Sequence, residues 1–179
     1  MQLRRSWLFV GAADQNAILT SYHSGADVCI QEFEDFCLPE LRREARLMMP
    51  DVLSDWRARK IVATVRINPL EDPDGLSDLD AAMRAGADAI LLPKANTKEQ
   101  IALLQKHINE MEKQCGKTVS STKIIPNIEQ ASGLMNATDI LSSSTQIAGA
   151  LVASEDMVVS LNAPRKKNSE ILNYVRSVF

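Results

Sequence analysis

Residues 123–140, KIIPNIEQASGLMNATDI, contain one complete unit of the fold together with its most informative side chain. Lys123 to Ile128 is a short run, apolar on both faces and too brief for a helix, which predicts a strand buried in a parallel sheet. A helix start follows at once, so Glu129 stands at the C-terminal end of that strand. In parallel α/β folds this end carries the chemistry, because the loops leaving successive strands converge on one mouth.

Outward from this unit the pattern repeats. Ser6–Val10, Asp27–Gln31, Ile61–Ile67, Asp88–Leu92 and Gln146–Val152 read as further strands of the same kind. Helical periodicity fills the intervals. Leu38–Ala58 repeats Leu41, Ala45, Met48, Met49, Val52 and Trp56, and Thr97–Gln114 repeats Ile101, Leu104, Ile108 and Met111. Asp14, Ser77 and Thr97 are read as helix N-caps, with Glu44 and Glu99 in first turns. Strand then helix, six times over, means a parallel sheet covered by helices. Eight such units would need about 224 residues, and a closed (β/α)8 barrel takes about 250. With 179 residues the reading is an α/β fold in one domain, residues 1–179. It is either an open sheet or a barrel lacking its last quarter.

Composition narrows the function. Twenty Lys and Arg against 23 Asp and Glu give a net charge of −3, and the basic residues are scattered along the sequence rather than clustered. Duplex nucleic acid asks for a dense positive face, so no nucleic-acid partner is expected. Cys29, Cys37 and Cys115 are odd in number and form no CxxC pair, which argues against a disulfide framework and for a reduced, cytoplasmic setting. Met1–Gln15 carries two arginines before an apolar stretch, as a signal peptide does, but the stretch is only about seven residues and meets Asp14. No run approaches the roughly 20 apolar residues of a membrane-spanning helix, so no membrane partner is expected.

Unusual polar groups sit at the strand ends. Strand two runs into Glu32, Glu34 and Asp35, strand three ends in Arg66 and Asn68, strand four in Lys94, strand five in Asn127 and Glu129, and strand six leads to Glu155 and Asp156. One wall of the mouth is thus expected to carry carboxylates and the other cations. Glu129 and Asp156, one strand apart, offer the hard oxygen ligands Mg2+ takes from protein. Arg66 suits an anionic substrate, since a guanidinium grips a carboxylate through two parallel hydrogen bonds. His23, His107 and Cys29 read as structural or surface residues, and the GxGxxG and GxxxxGK phosphate loops are absent.

At these residues the chain resembles the HpcH/HpaI aldolase and citrate lyase beta-subunit family. RSWLFVGA at 5–12 is similar to its RSxLFVPG opening, EFED at 32–35 to DLED, and TVRIN at 64–68 to VRVN. AGADAILLPK ending at Lys94, IIPNIEQASGLMNATDI at 124–140 and GALVASEDM at 149–157 are similar to its later motifs, in the same order. Gly11 and Ala12 replace the PG of the opening, Glu32 replaces the first Asp of DLED, and Ala153 and Ser154 replace the Gly and Ala of GAED. The resemblance implies a (β/α)8 TIM barrel, here lacking its last strands and C-terminal lid, assembled as trimers or hexamers. It implies a Mg2+-dependent carbon–carbon lyase that cleaves a 3-hydroxy acyl thioester, carried by an acyl carrier protein or coenzyme A, to a keto acid such as oxaloacetate. On it, Glu129 and Asp156 hold the metal and contact substrate, Arg66 and Arg5 bind the organic anion with Lys94 beside them, and Arg66, Glu34 and Asp35 take catalytic roles. A 2-keto acid aldolase of the same superfamily and a non-catalytic barrel subunit are the alternatives.

Overall fold

A computed structural model describes residues 4–164 and 170–178. Six strands, β1 (Trp7–Gly11), β2 (Val28–Glu32), β3 (Val62–Arg66), β4 (Ala89–Leu92), β5 (Lys123–Ile128) and β6 (Leu151–Val152), form one parallel sheet in sequential order. Between and after them come α1 (Gln15–Ser21), α2 (Arg42–Ala58, led in by a 3-10 turn at Pro39–Leu41), α3 (Gly75–Arg84), α4 (Lys98–Gln114), α5 (Ala131–Met135), α6 (Ala137–Ser142), α7 (Ser154–Ser160) and α8 (Glu170–Val178). Among the described residues no helix is long and apolar enough to cross a membrane.

The strand order decides between the two architectures left open by the sequence. A doubly wound sheet reverses its order at a switch point, and this one never does. The two faces agree. Alternate strand residues such as Val10, Cys29, Ala63, Val65, Ile90 and Ile124 pack with helix residues such as Met49, Leu53, Trp56, Met83 and Leu104 in one large core. The opposite set, Val28, Ile30, Ala89, Leu91 and Ile125, meets only other strand residues, with Trp7, Phe9, Val62 and Leu151 half-buried at its margin. Helices on one face and a strand-lined second face make a curled, six-stave half-barrel.

Local chemistry explains most element boundaries. Asp14 accepts the Ala17 N–H and Thr97 with Gln100 closes a capping box, as the sequence predicts. Ser77 does not cap α3. The helix begins at Gly75, and the Asp74 side chain at its cap is drawn away by Arg42 and Arg46 at 3.0 and 2.9 Å. The sixth strand, expected over Gln146–Val152, is reduced to Leu151–Val152 plus an isolated bridge between Ile124 and Ile147. Ile124 and Ile128 turn their hydrogen bonds toward β6, as Pro126 between them must. Proline has no N–H to give, so the ladder breaks there.

Candidate active site

The parallel register stacks the strand ends. Gly11, Glu32 and Arg66 are lateral neighbours, so the last residues of β1 to β3 form one rim. Arg66, 5% exposed, is the hub of that rim. Its Nε donates to Glu32 Oε1 at 2.7 Å, its Nη2 donates to Asp35 Oδ2 at 2.8 Å, and its Nη1 lies 3.4 Å from Glu34 Oε2 and 4.0 Å from Glu129 Oε1. The guanidinium also stands 5.3 Å over the Phe9 ring. Burial works against its charge, but the Glu32 hydrogen bond and the fields of Glu32, Glu34 and Asp35 hold its pKa above the ordinary arginine value.

Lys94 follows β4 with a left-handed backbone, φ 48°, and its ammonium sits 2.6 Å from Glu34 Oε1. That contact raises the lysine's pKa against a smaller burial effect. Glu129 is 3% exposed and accepts a hydrogen bond from the Asn127 side chain. Burial, with repulsion from Glu34, pushes its carboxyl up to about 7, while the Lys94 backbone N–H and Arg66 pull the other way and Asp156 adds to the rise. Asp156 lies in the first turn of α7, one strand over, where Ile128 and Val152 are paired.

Around Arg66 and Lys94, then, stand Glu32, Glu34, Asp35, Glu129 and, one strand over, Asp156. This excess of hard oxygen donors is chemically suited to a divalent cation, and Mg2+ takes only one or two protein carboxylates. Among the described residues no group of three or more His, Cys, Asp or Glu is arranged to hold a metal, so an ion here would draw few ligands from this chain.

The structure brings together Arg66, Glu34, Asp35, Lys94 and Glu129, and sets Asp156 beside them. It does not bring Arg5. That residue precedes β1, at the opposite end from Gly11, and its backbone N–H donates to Asp27 ahead of β2 at 2.6 Å. Nor are there two walls of opposite charge, because the cations are threaded between the carboxylates that neutralise them.

Several supporting residues were missed. Glu32 accepts the backbone N–H groups of Glu34, Asp35 and Phe36, so it shapes the loop that presents Glu34 and Asp35 as well as gripping Arg66. Asp78, fully buried, accepts the Asn68 backbone and side-chain amides and pairs with Arg46 at 2.7 Å. Gly133 faces the loop after β4 so closely that a Cβ would lie 2.4 Å from the Ala95 carbonyl oxygen. Glu32 was visible in the sequence as a strand-end carboxylate within EFED and Asp78 as the start of the stretch ending at Lys94, but neither position told what the side chain would hold.

A six-stave (β/α) half-barrel whose strand ends ring a buried guanidinium with carboxylates defines the class: a parallel barrel wall with its clustered charged groups at the C-terminal mouth. The model of the HpcH/HpaI aldolase/citrate lyase family matches residues 5–179, and the chain belongs to that family. It is 31% identical over 176 residues to the citrate lyase subunit beta of Haemophilus influenzae, covering 98% of this chain and 60% of that protein. Against the citrate lyase subunit beta of Escherichia coli K12 the figures are 32% over 173 residues, 97% and 57%. The chain thus spans under two thirds of these relatives. A solved citrate lyase beta subunit from M. tuberculosis, complexed with oxaloacetate and magnesium, shares the fold with a TM-score of 0.77 at 24% identity, over 99% of this chain and 74% of that one.

Proposed function

We propose that this chain is the catalytic wall of a Mg2+-dependent carbon–carbon lyase that cleaves a 3-hydroxy acyl thioester of the citryl type to a keto acid, such as oxaloacetate, and an acetyl thioester. The observation that carries the reading is the Arg66 hub, a buried guanidinium at a barrel strand end with Glu129 within 4.0 Å, on the wall of a family whose relatives include citrate lyase beta subunits. On this reading the protein works in the cytoplasm as trimers or hexamers, on substrates carried by coenzyme A or an acyl carrier protein.

The chemistry moves negative charge. The substrate hydroxyl loses a proton, the carbon–carbon bond breaks as the ketone forms, and the bonding pair becomes a thioester enolate that takes up a proton to give the acetyl group. Glu129 and Asp156 would hold the Mg2+, which when bound would supply Lewis-acid stabilisation of developing negative charge on oxygen. Arg66 grips the substrate carboxylate, exchanging the exposed Asp35 for it while Glu32 keeps the guanidinium in place. Glu34, its side chain 7% exposed and set between Lys94 and Arg66, would accept the hydroxyl proton, with the neighbouring Asp35 as the alternative acceptor. Lys94 keeps that carboxylate oriented, and Phe9 walls the guanidinium from water.

Oxaloacetate release from citryl thioesters by the protein, assayed with and without Mg2+, tests the reading. Glu129→Gln should abolish release at every Mg2+ concentration, and release that Glu129→Gln leaves untouched would refute the metal role. Turnover of free hydroxy keto acids, with no turnover of thioesters, would instead assign the 2-keto acid aldolase reading.

A further inference from the structure

The opposite end of the sheet holds an open, basic cavity. An open cavity of about 810 Å3 lies beneath the strand N-terminal ends, framed by the loops entering β3, β4 and β5 and by the segment before β1. Arg4, Arg57, Lys60, Lys117 and Lys123 line it, with Asp88 as their one acidic neighbour there. These residues are far apart in sequence, and only the parallel register gathers them.

The cations are not neutralised by ion pairs. Among the described residues none of the five lies within 4.0 Å of a carboxylate, in contrast to Arg66 and Lys94 at the mouth. Three of them are steered by neutral main-chain oxygens instead. Arg57 donates to the Gly86 and Ala85 carbonyls, Lys117 to Ala87 at 3.3 Å and Lys123 to Ser120 at 3.5 Å. Arg57 crosses Gly86 so tightly that a Cβ there would lie 2.7 Å from its Nη1, at a backbone φ of 81° suited to glycine. The nearby carboxylates are already engaged: Asp88 accepts the Ala63 N–H at 2.9 Å, and Glu112 accepts from Ser120, Ser121 and Thr122.

A concave surface with an excess of like charge raises the local concentration of its counter-ion. Side chains already ordered by the protein lose little entropy when they bind it. Lysine ammonium groups act as point charges that suit phosphate, whereas a lone carboxylate would leave most of this charge unanswered. We propose that the floor of the half-barrel is a binding site for a small anion carrying two phosphate groups, separate from the mouth and dependent on Lys117 and Lys123.

Isothermal titration of the full chain with inorganic pyrophosphate, in Mg2+-free buffer, tests this. One equivalent should bind, more weakly as salt is added, and orthophosphate should bind far less well. Lys117→Gln and Lys123→Gln should each weaken binding about tenfold, a loss typical of one charge-assisted hydrogen bond. Lys106→Gln, outside the cavity, should leave it unchanged. Saturating oxaloacetate should not displace pyrophosphate. Arg4→Gln, in the exposed segment before β1, supplies a further variant with circular dichroism as the folding check, and should also weaken binding. Absence of heat at millimolar pyrophosphate, equal affinity in folded lysine and Arg4 variants, or displacement by oxaloacetate would each overturn the proposal.

Discussion

Strand β5 runs between two buried glutamates that the protein treats in opposite ways. Below it, Glu112 receives the Ser120 and Thr122 backbone N–H groups at 2.6 Å and the Ser121 hydroxyl at 3.0 Å. Burial alone would raise its pKa, but these donors hold it below the usual carboxylate value. Above it, Glu129 has the Asn127 amide and one backbone N–H against burial and two carboxylate neighbours, and its pKa climbs to about 7. Burial by itself therefore does not fix the chemistry of a carboxylate. A carboxylate ringed by neutral donors is a structural clamp, whereas one crowded by other carboxylates needs a cation from elsewhere. The floor shows the converse, with cations that lack carboxylates.

The largest effect should come from removing the cation that holds the mouth together. Arg66→Ala leaves the fully buried Glu32 and the nearly buried Glu34 without their guanidinium. Breaking a buried pair from one side costs about 3–5 kcal/mol, and activity should fall at least about hundredfold with the lost charge stabilisation. Denaturant titration and turnover measure the two parts. A variant as stable as the parent would mean that the mouth carboxylates do not depend on Arg66.

The paired glutamates sharpen the contrast through pH. At Glu112 the folded pKa is depressed, so its contribution to stability is present above the unfolded value of 4.5 and lost as pH falls through the lower folded pKa. Glu112→Gln should destabilise by about 1–3 kcal/mol at pH 7, with the difference shrinking in acid. For Glu129 the sign reverses. Its folded pKa is raised, so the ionised group costs stability as pH rises from 4.5 through about 7. In Mg2+-free buffer Glu129→Gln should therefore raise Tm more at pH 8 than at pH 5. Melting curves across that range check both, and shifts of the same sign at the two sites would erase the distinction.

Much of this arrangement was legible in the sequence, and the parts that were not share a cause. Five strands fall within a residue or two of the expected runs, because a buried parallel strand is written as a local apolar segment. Arg66, Lys94 and Glu129 were legible because each interrupts or closes such a segment. The sixth strand was legible in place but not in length, since one missing N–H at Pro126 acts across the ladder rather than along the chain. Ser77 lost the cap because Asp74 answers to arginines on α2. Arg5 followed a motif whose linear order does not say which end of β1 it occupies. The basic floor was hidden for the same reason: residues scattered in sequence from Arg4 to Lys123 converge only once the strands are in register.

The smallest expected effect is the most discriminating for the mouth. Asp35 accepts from Arg66 Nη2 at 2.8 Å, yet its side chain is 56% exposed. An exposed ion pair contributes only about 0.2–1 kcal/mol, so Asp35 is the partner a substrate carboxylate can replace at least cost. Asp35→Asn removes the competing charge without disturbing the Glu32 contact. Oxaloacetate should then bind up to about fivefold more tightly, the equivalent of that small energy, and kcat should stay within a factor of about two, well short of what losing a proton-transfer group costs. If kcat instead fell about hundredfold or more with KM unchanged, Asp35 would be the proton acceptor and Glu34 its buried support. The split between KM and kcat decides which of two adjacent carboxylates is the gate and which is the base.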